Sequence, residues 1–139
     1  MKRDDWKKIV VDNSVLIASI KEEDVNYQST YRYFKENTEI RKIIPTFAYF
    51  EYQAVLSRIG FNHRYLSVEN VELFEISKDF TAQCAEMKLF DLFGGLKGGD
   101  LVYACVAKIL DCPLLTVDSD FDAYGTAISI IRPWGITIS

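Results

Sequence analysis

The stretch from Asp100 to Asp120 limits the choice of fold more than any other part of this chain. Asp100 opens an apolar helical run that lasts to Leu110, Pro113 to Val117 reads as a short buried strand, and Asp118-Ser119-Asp120 follows at once. Helix, strand and strand-end acid in that order is the rhythm of an α/β domain built on a parallel sheet. The chain begins on the same note, because the β-branched run Lys8 to Val11 ends in Asp12. In open parallel sheets ligands bind beyond the carboxyl ends of the strands, which is where Asp12 and Asp118 are expected to lie.

The remaining elements fit between these two ends. Ser14 to Ile20 is helical, and Asn26 caps a helix in which Tyr27, Tyr31 and Phe34 form a packing stripe before Asn37 stops it. Ile40, Ile43 and Ile44 belong to a second strand closed by Pro45, and Thr46 caps a helix that passes through Glu51 to Ile59, with Gly60 as its end. Val71 to Ile76 alternates as a strand, Asp79 to Phe90 as one amphipathic helix, Phe93 to Gly99 is a flexible glycine-rich loop, and Ala127 to Ile131 supplies a further strand. The expected fold is α/β, with a mostly parallel central sheet flanked by helices on both faces. No repeat, linker or low-complexity tract divides residues 1–139, so a single domain is expected.

Composition removes several classes of function. With 139 residues, 49% of them apolar and 14% aromatic, the chain can bury a core and is not disordered. Cys84, Cys105 and Cys112 are odd in number and lack CxxC spacing, so they read as reduced, mostly buried residues. No apolar run approaches the roughly 20 residues of a membrane helix, and the charged start Met1-Lys2-Arg3-Asp4-Asp5-Trp6 does not lead a secretory signal. A cytoplasmic protein is expected. A net charge of −4 disfavours nonspecific coating of nucleic acid, yet acids that converge on cations can reverse the local field in a cleft.

Each acid taken singly has an ordinary explanation. Aspartate often begins the loop after a strand, and Asp100 suits the first turn of a helix, where free N–H groups favour an anion. Glu51 is harder to dismiss, since Phe47, Ala48, Phe50, Tyr52, Ala54 and Val55 around it leave little room for a solvated face and call for a partner. His63, the only histidine, reads as a loop or helix-cap residue and cannot support a zinc site or a Ser/His/Asp triad alone.

Jointly the four acids stand in a recognisable order within Ile9-Val10-Val11-Asp12-Asn13-Ser14-Val15-Leu16-Ile17, Pro45-Thr46-Phe47-Ala48-Tyr49-Phe50-Glu51, Lys97-Gly98-Gly99-Asp100-Leu101-Val102-Tyr103-Ala104 and Leu114-Leu115-Thr116-Val117-Asp118-Ser119-Asp120-Phe121. The pattern covers nearly the whole chain. It resembles the PIN-domain ribonucleases and, within them, the VapC-type toxins of prokaryotic toxin–antitoxin pairs. The resemblance implies catalytic and metal-binding roles for Asp12, Glu51, Asp100 and Asp118, with Asp120 as a fifth metal-binding acid. Ser14 and Thr116 then support the acids from behind. It also implies an RNA substrate, a homodimer, a protein antitoxin as partner, and products with 5′-phosphate and 3′-hydroxyl ends. Gly98-Gly99 before Asp100 and the aromatic cluster Tyr49-Phe50-Tyr52 depart from the typical toxin.

Carboxylates suit that chemistry because Mg²⁺ and Mn²⁺ prefer hard oxygen ligands. On this reading Asp12, Asp100 and Asp118 hold one or two ions, and Glu51 orients or deprotonates the attacking water. Lys97, before Asp100, is placed to reach a phosphate, as are Arg41, Lys42, Arg58 and Arg64. Two other α/β families fit less well. A response-regulator receiver wants an acidic pair after the first strand and a lysine ending a late one, and a HAD-like phosphatase wants Asp-x-Asp where this chain has Asp12-Asn13-Ser14. The rival from another class is a PIN fold that binds metal or RNA without cutting. Tyr27, Tyr31, Phe34, Tyr49, Tyr52, Tyr65 and Phe90 serve either internal packing or an interface.

Overall fold

The computed structural model describes residues 6–60 and 68–139, so His63, Arg64 and Tyr65 lie outside the described residues. Strand β1 (Lys8–Val11) is followed by helix α1 (Asn13–Ala18), and α2 (Tyr27–Glu36) leads to β2 (Arg41–Pro45). Helix α3 (Thr46–Arg58) precedes β3 (Val71–Phe74), and α4 (Lys78–Glu86), α5 (Leu89–Leu92) and α6 (Gly98–Leu110) return the chain to β4 (Leu114–Leu115). A 3₁₀ helix (Ser119–Tyr124), β5 (Ile130–Ile131) and β6 (Thr137–Ile138) complete it. The sheet order is β3-β2-β1-β4-β5-β6, parallel throughout except where β6 returns against β5.

Burial of the central strands explains why the sheet is parallel. Ile9, Val10 and Val11 are all solvent-free, as are Ile43, Ile44, Leu114 and Leu115 within a per cent, so neither face of these strands meets water. Consecutive apolar residues, rather than alternating ones, are what a sheet covered by helices on both faces requires. The backbone ladder fixes the register at the critical end: Val10 N–H donates to Pro113 O at 2.9 Å and Asp12 N–H to Leu115 O at 3.0 Å. Strand β1 is flanked by β2 on one side and β4 on the other, so the chain reverses its direction of winding between β1 and β4. Their carboxyl ends open the crevice in which α/β sheets hold ligands.

Several local expectations need correction. Asn26 and Pro45 occupy the cap positions of α2 and α3, but neither caps through its side chain, and Thr46 is the first helical residue rather than the cap. The buried stripe of α2 is Thr30 and Phe34, while Tyr27 and Tyr31 are half-buried and stack on each other at 5.7 Å. The helix expected over Asp79 to Phe90 is broken in two, because Lys88 adopts left-handed backbone (φ 58°). Phe93 to Gly99 is not an open loop: Phe93 and Leu96 are buried and α6 already starts at Gly98. Strand β6 carries no clear alternation and was not expected. Cys84, Cys105 and Cys112 are free and buried, and no described helix is long and apolar enough to cross a membrane.

Candidate metal centre

Asp12 leaves the end of β1 as the N-cap of α1, and the residue is only 5% exposed. Both of its carboxylate oxygens accept hydrogen bonds from within the fold. Oδ1 accepts the Ser14 N–H at 3.2 Å, and Oδ2 accepts the hydroxyls of Ser14 at 2.9 Å and Thr116 at 2.7 Å. Burial pushes the Asp12 carboxyl up, the Thr116 and Ser14 hydrogen bonds pull it back, and the neighbouring Asp118 charge adds to the rise. Thr116, wholly buried, accepts the Asp118 N–H on the same oxygen at 3.0 Å. One threonine hydroxyl thus ties the end of β1 to the turn after β4.

That turn and the start of α6 supply a compact group of acids. Carboxylate oxygens of Asp100, Asp118 and Asp120 lie within 4.8 Å of one another. Asp118 caps the 3₁₀ helix by accepting the Asp120 N–H at 2.8 Å, which holds the two acids at one turn. Asp100 sits in the first turn of α6, and its carboxyl is pushed up to about 6, first by burial and then by the charges of Asp12, Asp118 and Asp120. Burial is the larger cause and like-charge crowding adds to it, and a divalent cation would offset the crowding. Hard oxygen donors, close spacing and a raised carboxyl all fit Mg²⁺ or Mn²⁺.

The two glycines before Asp100 have a steric reason. Gly98 begins α6 at φ +56°, a region disfavoured for residues with a Cβ. A Cβ on Gly99 would stand 3.0 Å from the Phe47 ring, so its absence lets the start of α6 approach α3.

Glu51 is exposed on α3, against the expectation of an enclosed acid, yet it does have a partner: Asn13 Nδ2 donates to Glu51 Oε2 at 2.8 Å. Glu51 and Asp12 stand outside the tight Asp100-Asp118-Asp120 group. Lys97 is exposed at the N-cap of α6, one turn before Asp100. Arg41 and Lys42 do not belong to the site, because they begin β2 at the amino end of the sheet, level with Lys8 and Ile9. Arg41 pairs with Glu72 at 3.4 Å, and Lys42 is buried and donates to Asn37 O. Arg58 ends α3, two turns beyond Glu51.

Sequence reasoning gave no role to four residues that the fold brings in. Asn13 reaches Glu51, and its backbone N–H donates to Tyr103 Oη at 3.2 Å. Arg132, buried, donates to Thr116 O at 3.2 Å and forms an ion pair with Asp122. Tyr103 had a readable signal, lying three positions after Asp100 and so on the same helical face. Arg132 had none, as it stands alone before Pro133.

The sequence matches the PIN domain family over residues 9–127. No curated protein matches it by sequence. The fold is similar to a chain of a toxin-antitoxin complex from Klebsiella pneumoniae, with a TM-score of 0.68 at 14% identity over 92% of this chain and 99% of that one. It is similar to Mycobacterium tuberculosis VapC20, described as a sarcin-ricin loop cleaving toxin (TM-score 0.62, 17% identity, 84% of this chain and 95% of that one). A third similar structure is VapBC2 from Rickettsia felis bound to a promoter DNA fragment (TM-score 0.60, 17% identity, 90% of this chain and 98% of that one).

Proposed function

The chain belongs to the PIN-domain family, and from that premise we propose that it is a divalent-metal-dependent endoribonuclease. It cuts RNA phosphodiester bonds to leave 5′-phosphate and 3′-hydroxyl ends, as the toxin of a VapBC-like pair. The observation that carries this reading is the grouping of Asp100, Asp118 and Asp120 oxygens within 4.8 Å beside the buried Asp12, at the carboxyl ends of β1 and β4.

In this reading Asp12, Asp100, Asp118 and Asp120 hold Mg²⁺ or Mn²⁺, which when bound supplies Lewis acidity to the scissile phosphate and makes water a stronger nucleophile at neutral pH. Ser14 and Thr116 aim Asp12 by donating to it and favour its ionised form against the effect of burial. Glu51 Oε2 is held by Asn13, which leaves Oε1 to orient the attacking water and take its proton. The water oxygen bonds to phosphorus as the bond from phosphorus to the 3′ oxygen breaks, the departing 3′ oxygen takes a proton from solvent, and the 2′-hydroxyl takes no part. Lys97, exposed at the start of α6, contacts a substrate phosphate.

The protein is proposed to act in the cytoplasm as a single domain spanning residues 1–139 and as a homodimer restrained by a protein antitoxin. Exposed apolar residues support a covered surface: Phe50 is 76% exposed next to Glu51, and Met87, Phe90 and Leu92 are 47%, 42% and 44% exposed. Of the aromatics counted toward an interface, Phe34 and Tyr52 are instead core residues.

The test is cleavage of end-labelled RNA by purified protein in Mn²⁺, Mg²⁺ or EDTA, with Asp12→Asn and Asp100→Asn alongside and the product ends mapped. Metal-dependent cutting that leaves 5′-phosphates and vanishes in both variants is the expected result. Cutting that survives EDTA and both substitutions overturns the assignment. Intact metal binding with no cutting of varied RNAs favours a module that binds without cleaving.

A further inference from the structure

We propose that Tyr103 is the positioning residue for Glu51, acting through Asn13: the tyrosine hydroxyl fixes the backbone of Asn13, and the Asn13 amide holds the carboxylate. This rests on the nuclease reading of the site. Residues from three separate elements meet here. Tyr103 belongs to α6, Asn13 begins α1 and Glu51 projects from α3.

The contacts run in one direction, from the core to the surface. Tyr103 is 3% exposed, and its ring packs on Phe47 with centroids 5.5 Å apart. Phe47 stands one helical turn before Glu51 on α3, so the tyrosine braces the helix that carries the acid. On its other side its oxygen accepts the Asn13 N–H at 3.2 Å. That N–H is among the first donors of α1, which lack partners within the helix. The next, from Ser14, goes to Asp12. The opening of α1 is thus shared between one metal-centre acid and the tyrosine.

From Asn13 the chain of bonds reaches the surface. Asn13 Nδ2 donates to Glu51 Oε2 at 2.8 Å, and no other described residue bonds the Glu51 carboxylate. A carboxylate accepts only, so the amide must turn its nitrogen toward Glu51 and leave its oxygen elsewhere. Asn13 Oδ1 is indeed buried without a partner. With no second bond to the amide, its aim follows from where the Asn13 backbone is held, and Tyr103 holds it. Burial, with the charges of Asp12, Glu51 and Asp100, keeps the Tyr103 hydroxyl protonated. It therefore remains a neutral anchor and not a charge in the site.

The experiment is steady-state RNA cleavage in Mn²⁺ by wild type, Tyr103→Phe, Asn13→Ala and the double variant, with thermal melts of each with and without Mn²⁺. Phenylalanine keeps the ring packing and deletes only the hydroxyl. Each single substitution is expected to lower kcat about five- to tenfold, the effect of one lost hydrogen bond, with KM little changed. The Mn²⁺-induced rise in Tm should persist in both, since neither residue is a ligand. The double variant should be no slower than the slower single one, because both changes break the same path. Tyr103→Phe that melts lower but keeps its kcat would mean the hydroxyl serves stability alone and overturns the inference, as would losses that multiply in the double variant. A wild type that cuts no RNA overturns the nuclease reading and this inference with it.

Discussion

Thr116 and Asp12 stand 104 residues apart and share a 2.7 Å hydrogen bond, through a hydroxyl that also accepts the Asp118 N–H. Removing that hydroxyl strips a buried carboxylate of one donor and a backbone N–H of its acceptor. Thr116→Val should therefore lower stability by about 1–3 kcal/mol in urea melts, whereas Thr116→Ser should keep most of it.

Asp100 gives the apoprotein a distinct response to pH. Its folded pKa, about 6, stands above the ordinary 3.8, so between those values the native state binds more protons than the unfolded chain. Its contribution is full below pH 3.8 and lost as pH rises through 6. Melts in EDTA should show this decline, superimposed on other titrations, and Asp100→Asn should flatten it. No decline attributable to Asp100 would mean that neither burial nor its neighbours' charges raise its carboxyl.

Divalent metal should reverse that loss. At about a hundredfold excess over its Kd, an ion that binds only the folded chain stabilises it by about 2.7 kcal/mol. The rise in Tm with Mn²⁺ should grow from pH 5 to pH 7 as protons leave the ligands, and shrink in Asp100→Asn and Asp118→Asn. An unchanged midpoint at saturating Mn²⁺ would exclude a shared site.

Arg132 is a buried cation paired with the half-exposed Asp122 and bonded to Thr116 O. Arg132→Ala leaves that carbonyl and carboxylate short of a donor. The expected cost is about 3 kcal/mol, measured by chemical denaturation, and a loss below about 1 kcal/mol would show the pair to be no better than a surface ion pair.

Gly99 tests how close α6 must come to α3. Gly99→Ala places a methyl 3.0 Å from the Phe47 ring, which is itself packed on Tyr103. Destabilisation of about 1–3 kcal/mol is expected in thermal or urea melts.

Much of this architecture was legible because its central strands are continuous apolar runs and its acids end them. Lys8 to Val11 could be read to the residue, since three consecutive buried apolar residues after a lysine and before an acid leave little choice of element. The short strands β4 and β5 were placed correctly but drawn too long, because apolar residues flanking a two-residue ladder look the same as those within it. Lys88 and Gly98 show what local pattern cannot carry: a single left-handed residue divides or begins a helix without changing its hydrophobic period. At the site, the acids could be singled out but not their grouping. Asp120 joined Asp100 and Asp118 more tightly than Asp12 or Glu51 did, a matter of turn geometry after β4. Glu51 looked enclosed among aromatics, and is exposed, as is Phe50 beside it.

The winding of the sheet bears on how the protein is made. Strand β4 lies beside β1 although most of the chain separates them, and the turn after it carries two of the three grouped acids. A ribosome must release the segment around Asp120 before the carboxylates can assemble, so unfinished chains lack the cation-holding group. Truncation between Asp100 and Thr116 yields a polypeptide that carries Asp12, Glu51 and Asp100 but neither Asp118 nor Asp120, nor the Thr116 hydroxyl whose hydrogen bond Asp12 accepts.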